Sequence, residues 1–290
     1  MAKYNIEKMY GDINTIDGYF YEKKQNGGSV EYADKFIRKY CPNKNGSEYG
    51  TCMNYFQMAR SGVIHLLENL EKYNLEYEKL AEYAILFLSY KLKQHSQHKY
   101  KCANLNNFYT DHIEKNNDYN KKIKDSGSST YKEIIDKKKD LMNTNEISKF
   151  NGPFSILVLL YNEIKKNNKD CTNLSKKANE FVQNFEKLND DSNINGNTSY
   201  RKLLSTLSDD YDNFKSYYAE KCNGCKDIPT LPKIKTPLTK LIPVLSTFPV
   251  IPVFLGIAYK YSLFGVDKLF QRQYLRTKLK KVKKKLKLNI

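Results

Sequence analysis

The sequence predicts an all-α fold: a helical bundle followed by a proline-rich stalk, a single transmembrane helix and a basic tail. Three observations predict it. Apolar residues recur at three- and four-residue steps through residues 1–222, with no clear alternation of the strand type. Nineteen residues from Leu241 to Tyr259 then carry no charge. Beyond them, residues 260–290 hold eleven Lys or Arg against one acid, Asp267.

The chain has 290 residues, 40% of them hydrophobic, enough for one or two domains with a packed core. Its net charge of +17 is uneven: the last 31 residues carry +10, and the other 259, with 38 basic and 31 acidic groups, carry +7. The body is therefore an ordinary basic domain and the end a concentrated cation. A polycation beside an apolar run reads first as a membrane-surface feature and second as a nucleic-acid arm.

In the body, SGVIHLLENLEKYNLEYEKLAEYAILFLSYKL places Leu66, Leu70, Tyr73, Tyr77, Leu80, Ala84, Phe87 and Lys91 on one long helical stripe. Thr130 to Glu133, TYKE, fits a capping box opening a helix through Ile134, Ile135 and Leu141. Phe154, Leu157, Leu160, Tyr161 and Ile164 form another stripe, and Ala178, Phe181, Val182, Phe185 and Leu188 the next. Tyr200, Leu203, Leu204, Leu207, Tyr211, Phe214 and Tyr218 complete the bundle. Polar breaks fall at NKNGSEYG, KDSGSS and NDDSNINGN, and loops 43–50, 116–130 and 189–199 are the candidate contact surface. After Cys222, Pro229, Pro232 and Pro237 mark an extended stalk.

A helix of nineteen residues covers roughly 28 Å, close to the ~30 Å of a hydrocarbon core. Eleven of the nineteen are Leu, Ile, Val or Phe. Pro243, Pro249 and Pro252 rule out a central strand, whereas a bilayer leaves helix as the only spanning choice and tolerates kinks. Tyr259, Lys260 and Tyr261 read as membrane-interface anchors. The lysines beyond them place the tail on the cytosolic side, with Lys280, Lys281, Lys283, Lys284 and Lys285 facing anionic lipid. Cys41, Cys52, Cys102, Cys171, Cys222 and Cys225 all precede the span, on a side where disulfides can form; Cys41 and Cys52 suit a local pair. MAKYNIEKMYGDIN has no apolar signal region, so the span is expected to act as the targeting signal.

No site chemistry emerges, and neither a catalytic residue nor a cofactor or metal site is expected. His95, His98 and Cys102 have a spacing that could hold a metal, but QHSQHKYK reads as a polar helix end with surface histidines. CNGC, with Cys222 and Cys225, lacks a second ligand pair. Asp209, Asp210 and Asp212 read as a solvated acidic face.

With these pieces placed, the chain resembles the Plasmodium interspersed repeat (PIR) variant antigens, closest to the rodent-parasite branches. The stretches that carry the resemblance are EYAILFLSYKL, FYTDHIEKN, SKFNGPFSILVLLYNEI, CTNLSKKANEFVQNFEKLND, SYRKLLSTLSDDYDNFKSY and FPVIPVFLGIAYKYSLFG with its basic tail. They cover nearly the whole chain in order. Phe87 stands where the family usually has Trp, and Val158 where Cys is frequent, which leaves the family's disulfide pattern open here. The resemblance implies export to the infected red cell, display at or near its surface, host interaction and immune evasion, and no catalysis.

The expected organisation is an α-helical ectodomain over 1–222, a stalk over 223–240, a transmembrane segment over 241–265 and a cytosolic tail over 266–290. Its expected partners are the lipid bilayer, an unknown host receptor or antibodies, and cytoskeletal or anionic-lipid contacts of the tail. The competing reading is a soluble nucleic-acid-binding protein using the Lys-rich end, which would show strongly salt-sensitive binding.

Overall fold

Asn5 opens the first helix. Its side chain accepts the Lys8 amide at 2.9 Å, satisfying one of the donors that a helix start leaves open. Helix α1 (Ile6–Asp17) then buries Ile6, Met9, Tyr10, Ile13 and Ile16 along one stripe. The computed structural model describes residues 5–25, 28–43, 46–95, 105–143, 145–166, 170–222, 225–236 and 270–284. The chain divides into two units, Met1–Pro237 and Leu238–Ile290.

After α1 comes a hairpin where the sequence showed no clear strand pattern. β1 (Phe20–Gln25) and β2 (Gly28–Ala33) pair antiparallel, from Phe20 opposite Ala33 to Gln25 opposite Gly28. Three successive charges, Glu22, Lys23 and Lys24, hide the period of two. The available signal was Asn26-Gly27 between Phe20-Tyr21 and the β-formers Val30 and Tyr32.

The short α2 (Lys35–Arg38) leads to α3 (Tyr55–Glu71) and α4 (Tyr77–Gln94). The expected continuous stripe from Leu66 to Lys91 is thus two helices packed on each other. The break is made at Asn74, whose φ of 51° lies in the left-handed region that Asn tolerates better than other side-chain-bearing residues. Helix α4 buries residues on almost every side between Leu80 and Leu92, the mark of a helix at the centre of a domain.

Helix α5 (Leu105–Phe108) runs into a π-helical turn, Tyr109–Glu114, followed by a 3-10 turn, Asn117–Asn120. Helix α6 (Tyr131–Asp136) opens with the expected capping box: Thr130 accepts the Glu133 amide and the Glu133 carboxylate accepts the Thr130 amide. That helix ends earlier than the pattern suggests, and Leu141 sits on a 3-10 turn, Lys139–Met142, with another at Asn145–Phe150. Helix α7 (Asn151–Glu163) packs against α1, α4, α8 (Cys171–Asp190) and α10 (Thr198–Lys221). The short α9 (Ser192–Asn195) joins the last two. Every residue of the three stripes read after position 150 is buried.

The stretch 225–236 is extended, as read, but it is not a free spacer. Tyr211 and Tyr218 donate hydroxyl hydrogen bonds to the carbonyls of Pro229 and Lys226, at 2.8 and 3.0 Å. Asn189 bonds the Lys233 carbonyl and the Lys235 amide. Ile228 is buried, with Leu231 and Ile234 packed behind it. Residues three apart share a side of a polyproline-type chain, which is why this proline-rich strap can lay one apolar edge on the bundle.

In the second unit, 270–284 is helical (α11) and exposed. Among the described residues no helix is long and apolar enough to cross a membrane. The expected span over 241–265, with Tyr259, Lys260 and Tyr261, lies outside the described residues, as does Lys285.

Candidate interaction surface

A buried cation fixes the base of the hairpin. Lys91 on α4 is 1% exposed. Its amine donates to the Asp17 carboxylate at 2.7 Å and to the carbonyls of Asp17 and Phe20 at 2.8 Å, and it lies 4.3 Å from the centre of the Phe20 ring. Asp17 ends α1, so the ammonium also meets the negative end of that helix dipole. Burial pushes the amine's pKa down, and Asp17 opposes the shift. Phe20 fits against α3 because Gly62 has no side chain: a Cβ there would stand 2.6 Å from the ring.

One turn beyond Lys91, His95 departs from the surface position read for it. It is buried, its Nε2 lies 2.8 Å from a Glu31 carboxylate oxygen of β2, and it packs on Tyr55. The expectation rested on polar neighbours in sequence; the hairpin covers the residue instead. His65 stacks on Phe36, and His112 packs against Phe56 and Phe108; burial lowers both pKa values. Among the described residues no cluster of three or more His, Cys, Asp or Glu could hold a metal. His98 and Cys102 lie outside them.

On this rigid base, the hairpin turns an apolar face outward. Directly opposed residues of an antiparallel pair project to the same side, and Tyr21 meets Tyr32 with ring centres 5.1 Å apart. Six large apolar side chains of the first unit's described residues are exposed, and four of them, Tyr21, Val30, Tyr32 and Phe36, fall within this one segment. Sequence reasoning missed this patch.

Beside it, two of the three candidate loops meet. Asn43 and Asn116–Asp118 line an open cleft of 490 Å³ whose walls also include Lys39, Arg60, Asp111 and Lys115. The loop at 41–52 is held by a Cys41–Cys52 disulfide and by mutual bonds between Arg38 and Gly50. Gly50 approaches so closely that a Cβ would sit 2.1 Å from the Cys41 carbonyl oxygen. Beneath the cleft, Glu68 accepts hydrogen bonds from Tyr40 and Tyr131. These groups make a mixed, mutually neutralised surface. It suits recognition of another surface. The third loop, 189–199, lies with the strap: Asn189 is buried against residues 233–235 and Ile194 is fully buried.

Of the other cysteines, Cys171 pairs with Cys225 across 54 residues, and Cys222 is buried. Removing the longer bridge with Cys225→Ser is expected to lower stability by about 2–4 kcal/mol. It also exposes the strap to proteolysis; limited digestion followed by mass mapping should cut first within 226–236.

Asp209 and Asp212 are exposed, but Asp210 is fully buried. Tyr10 and Tyr83 each donate to its Oδ2 at 2.7 Å, Tyr161 donates to its carbonyl at 2.7 Å, and the Lys79 amine stands 3.9 Å from Oδ1. Burial pushes its carboxyl up to about 6. The signal was present, since Leu207, Asp210 and Phe214 follow one another at three and four residues on the buried stripe.

The comparisons with known proteins agree on one relationship. The family model described as Plasmodium variant antigen protein Cir/Yir/Bir matches residues 10–260. The solved "Structure of a Plasmodium PIR protein ectodomain" is similar with a TM-score of 0.56 and 34% identity, covering 80% of this chain and 99% of that one. No curated protein is significantly similar.

Proposed function

Because the chain belongs to the Plasmodium variant antigen family Cir/Yir/Bir, we propose that it is a membrane-anchored surface antigen, exported to the infected red cell. There it acts in host contact and immune evasion through binding, with no catalytic step. The body over 1–236 is the ectodomain, 241–265 the anchor and 266–290 the cytosolic tail. The docked strap over 225–236 supports counting those residues with the ectodomain.

One observation carries this reading: the paired cysteines lie on the far side of the apolar run from the lysines. Both disulfides, Cys41–Cys52 and Cys171–Cys225, precede Leu241, and such bonds persist in oxidising compartments and not in the cytosol. The cationic residues 278–287 follow the run, where cytosolic loops carry their excess of Lys and Arg. The family match supports the arrangement by continuing across the run to residue 260. Host receptors or antibodies would meet the hairpin's outer face and the cleft between loops 41–52 and 116–130.

The test is alkaline extraction of infected-cell membranes combined with protease treatment of intact cells. The chain is expected to stay in the membrane pellet, lose its ectodomain to external protease and keep a protected tail. Release of the intact chain by alkaline washing would overturn the anchor, and a digested tail beside a protected body would reverse the topology.

A further inference from the structure

Helix α11, 270–284, reads FQRQYLRTKLKKVKK and contains no acid. Leu275, Leu279 and Val282 fall at i, i+4 and i+7, so they share one face. That face is open in the second unit: the three side chains are 58%, 61% and 55% exposed. Arg272, Arg276 and Lys283 lie to one side of it and Lys278 to the other, and Lys280, Lys281 and Lys284 share the rest of the helix with the exposed Phe270 and Tyr274. A helix crossing from a bilayer into water has no need of such a stripe.

We infer that α11 lies in the plane of an anionic membrane leaflet, with Leu275, Leu279 and Val282 sunk among the acyl chains and its cations spread over the headgroups. Charge decides the occupant. Seven Lys or Arg with no acid select a negatively charged partner, and the leucine face selects one with an apolar layer directly beneath the charge. A lipid surface offers both, in that order of depth. Nucleic acid offers a deep layer of phosphate and nothing for the leucines. This deepens the anchoring reading by giving the chain a second attachment. It does not depend on that reading, because an in-plane helix binds anionic lipid with or without a neighbouring span.

The chain has no tryptophan, so a single introduced indole reports one position without background. Leu279→Trp places it on the apolar face, and Thr277→Trp places it on the opposite side of α11. The full-length variants are reconstituted into vesicles of phosphatidylcholine alone and of phosphatidylcholine with phosphatidylserine. The indole at 279 is expected to show blue-shifted emission and quenching by brominated acyl chains only in the phosphatidylserine vesicles. Molar salt should reverse this by shrinking the screening length to about 3 Å. The indole at 277 is expected to stay accessible to aqueous quencher throughout. Each Lys→Gln exchange in α11 should weaken the docked state by about fivefold.

An indole at 279 that stays aqueous in both vesicles overturns the proposal. So does protection independent of phosphatidylserine, which would mean that protein covers the face, and so does equal protection at 277 and 279. Flotation of the chain with pure phosphatidylcholine vesicles reports separately on the 241–265 anchor, so failure of one reading is distinguishable from failure of the other.

Discussion

Lys91→Met is expected to destabilise the first unit by about 3–5 kcal/mol, the usual consequence of removing one partner of a buried ion pair. Methionine fills nearly the same unbranched volume, so the loss does not come from a cavity. It comes from three oxygens, those of the Asp17 carboxylate and the Asp17 and Phe20 carbonyls, that the amine now satisfies within 2.8 Å. Without it, the Asp17 and Phe20 carbonyls lose the amine, while the partly exposed Asp17 carboxylate keeps the Tyr90 hydroxyl at 3.2 Å from its other oxygen. The loss should therefore be local as well as global. Urea unfolding would show the lowered midpoint, and amide exchange should accelerate across 20–33 more than in α8. A hairpin whose exchange is unchanged would show that Lys91 does not hold it. Because the hairpin presents Tyr21, Tyr32 and Val30, the same variant should weaken conformation-dependent antibodies against that face while sparing those against the strap.

Lys91 also shows how much the sequence discloses. The three- and four-residue spacing placed it on the apolar stripe, and it is buried there. What spacing does not give is the acceptor set, which comes from residues 71 and 74 positions earlier. The helices read individually, those of α3 and α4, α6, α7, α8 and α10, were legible because each has a continuous stripe or a cap made by near neighbours, as at Thr130 and Glu133. Helices α1, α2, α5 and α9 were not singled out. The hairpin was obscured because its root is set by burial of Phe20 against Gly62, a long-range contact. The break at Asn74 was missed because it needs one unusual φ and neither Gly nor Pro. The strap was legible as extended and illegible as docked: its partners Asn189, Tyr211 and Tyr218 lie on α8 and α10. The candidate contact loops followed the same division. Loops 43–50 and 116–130 meet at one cleft, a convergence that depends on how α3 and the π-helical turn pack.

Asp210 gives the sharpest contrast between two substitutions at one position. Asp210→Ala takes the shared acceptor from the hydroxyls of Tyr10 and Tyr83 and leaves a space among α1, α4 and α10. At about 1–3 kcal/mol for each buried group that loses its partner, plus the cavity, the expected loss is roughly 3–6 kcal/mol. Asp210→Asn keeps an oxygen that can accept both tyrosines and removes the burden of burying a charge. The sign of its effect therefore depends on pH. The native carboxyl titrates at about 6 when folded, against an ordinary 3.8, because burial favours its neutral form. Between those values the folded state binds the proton more tightly, so this group's contribution falls as pH rises through the window and is lowest above about pH 6. The gap corresponds to roughly 3 kcal/mol. The asparagine variant should match the native chain near pH 4 and equal or exceed its stability at pH 7, with the difference opening between the two. Lys79, at 3.9 Å, is the one cation facing Oδ1 among the groups that shift this carboxyl, and its attraction to the carboxylate narrows the gap. Urea midpoints of both variants at pH 4, 5, 6 and 7 would decide it: a native–asparagine difference that does not change with pH would mean that Asp210 stays ionised in the core.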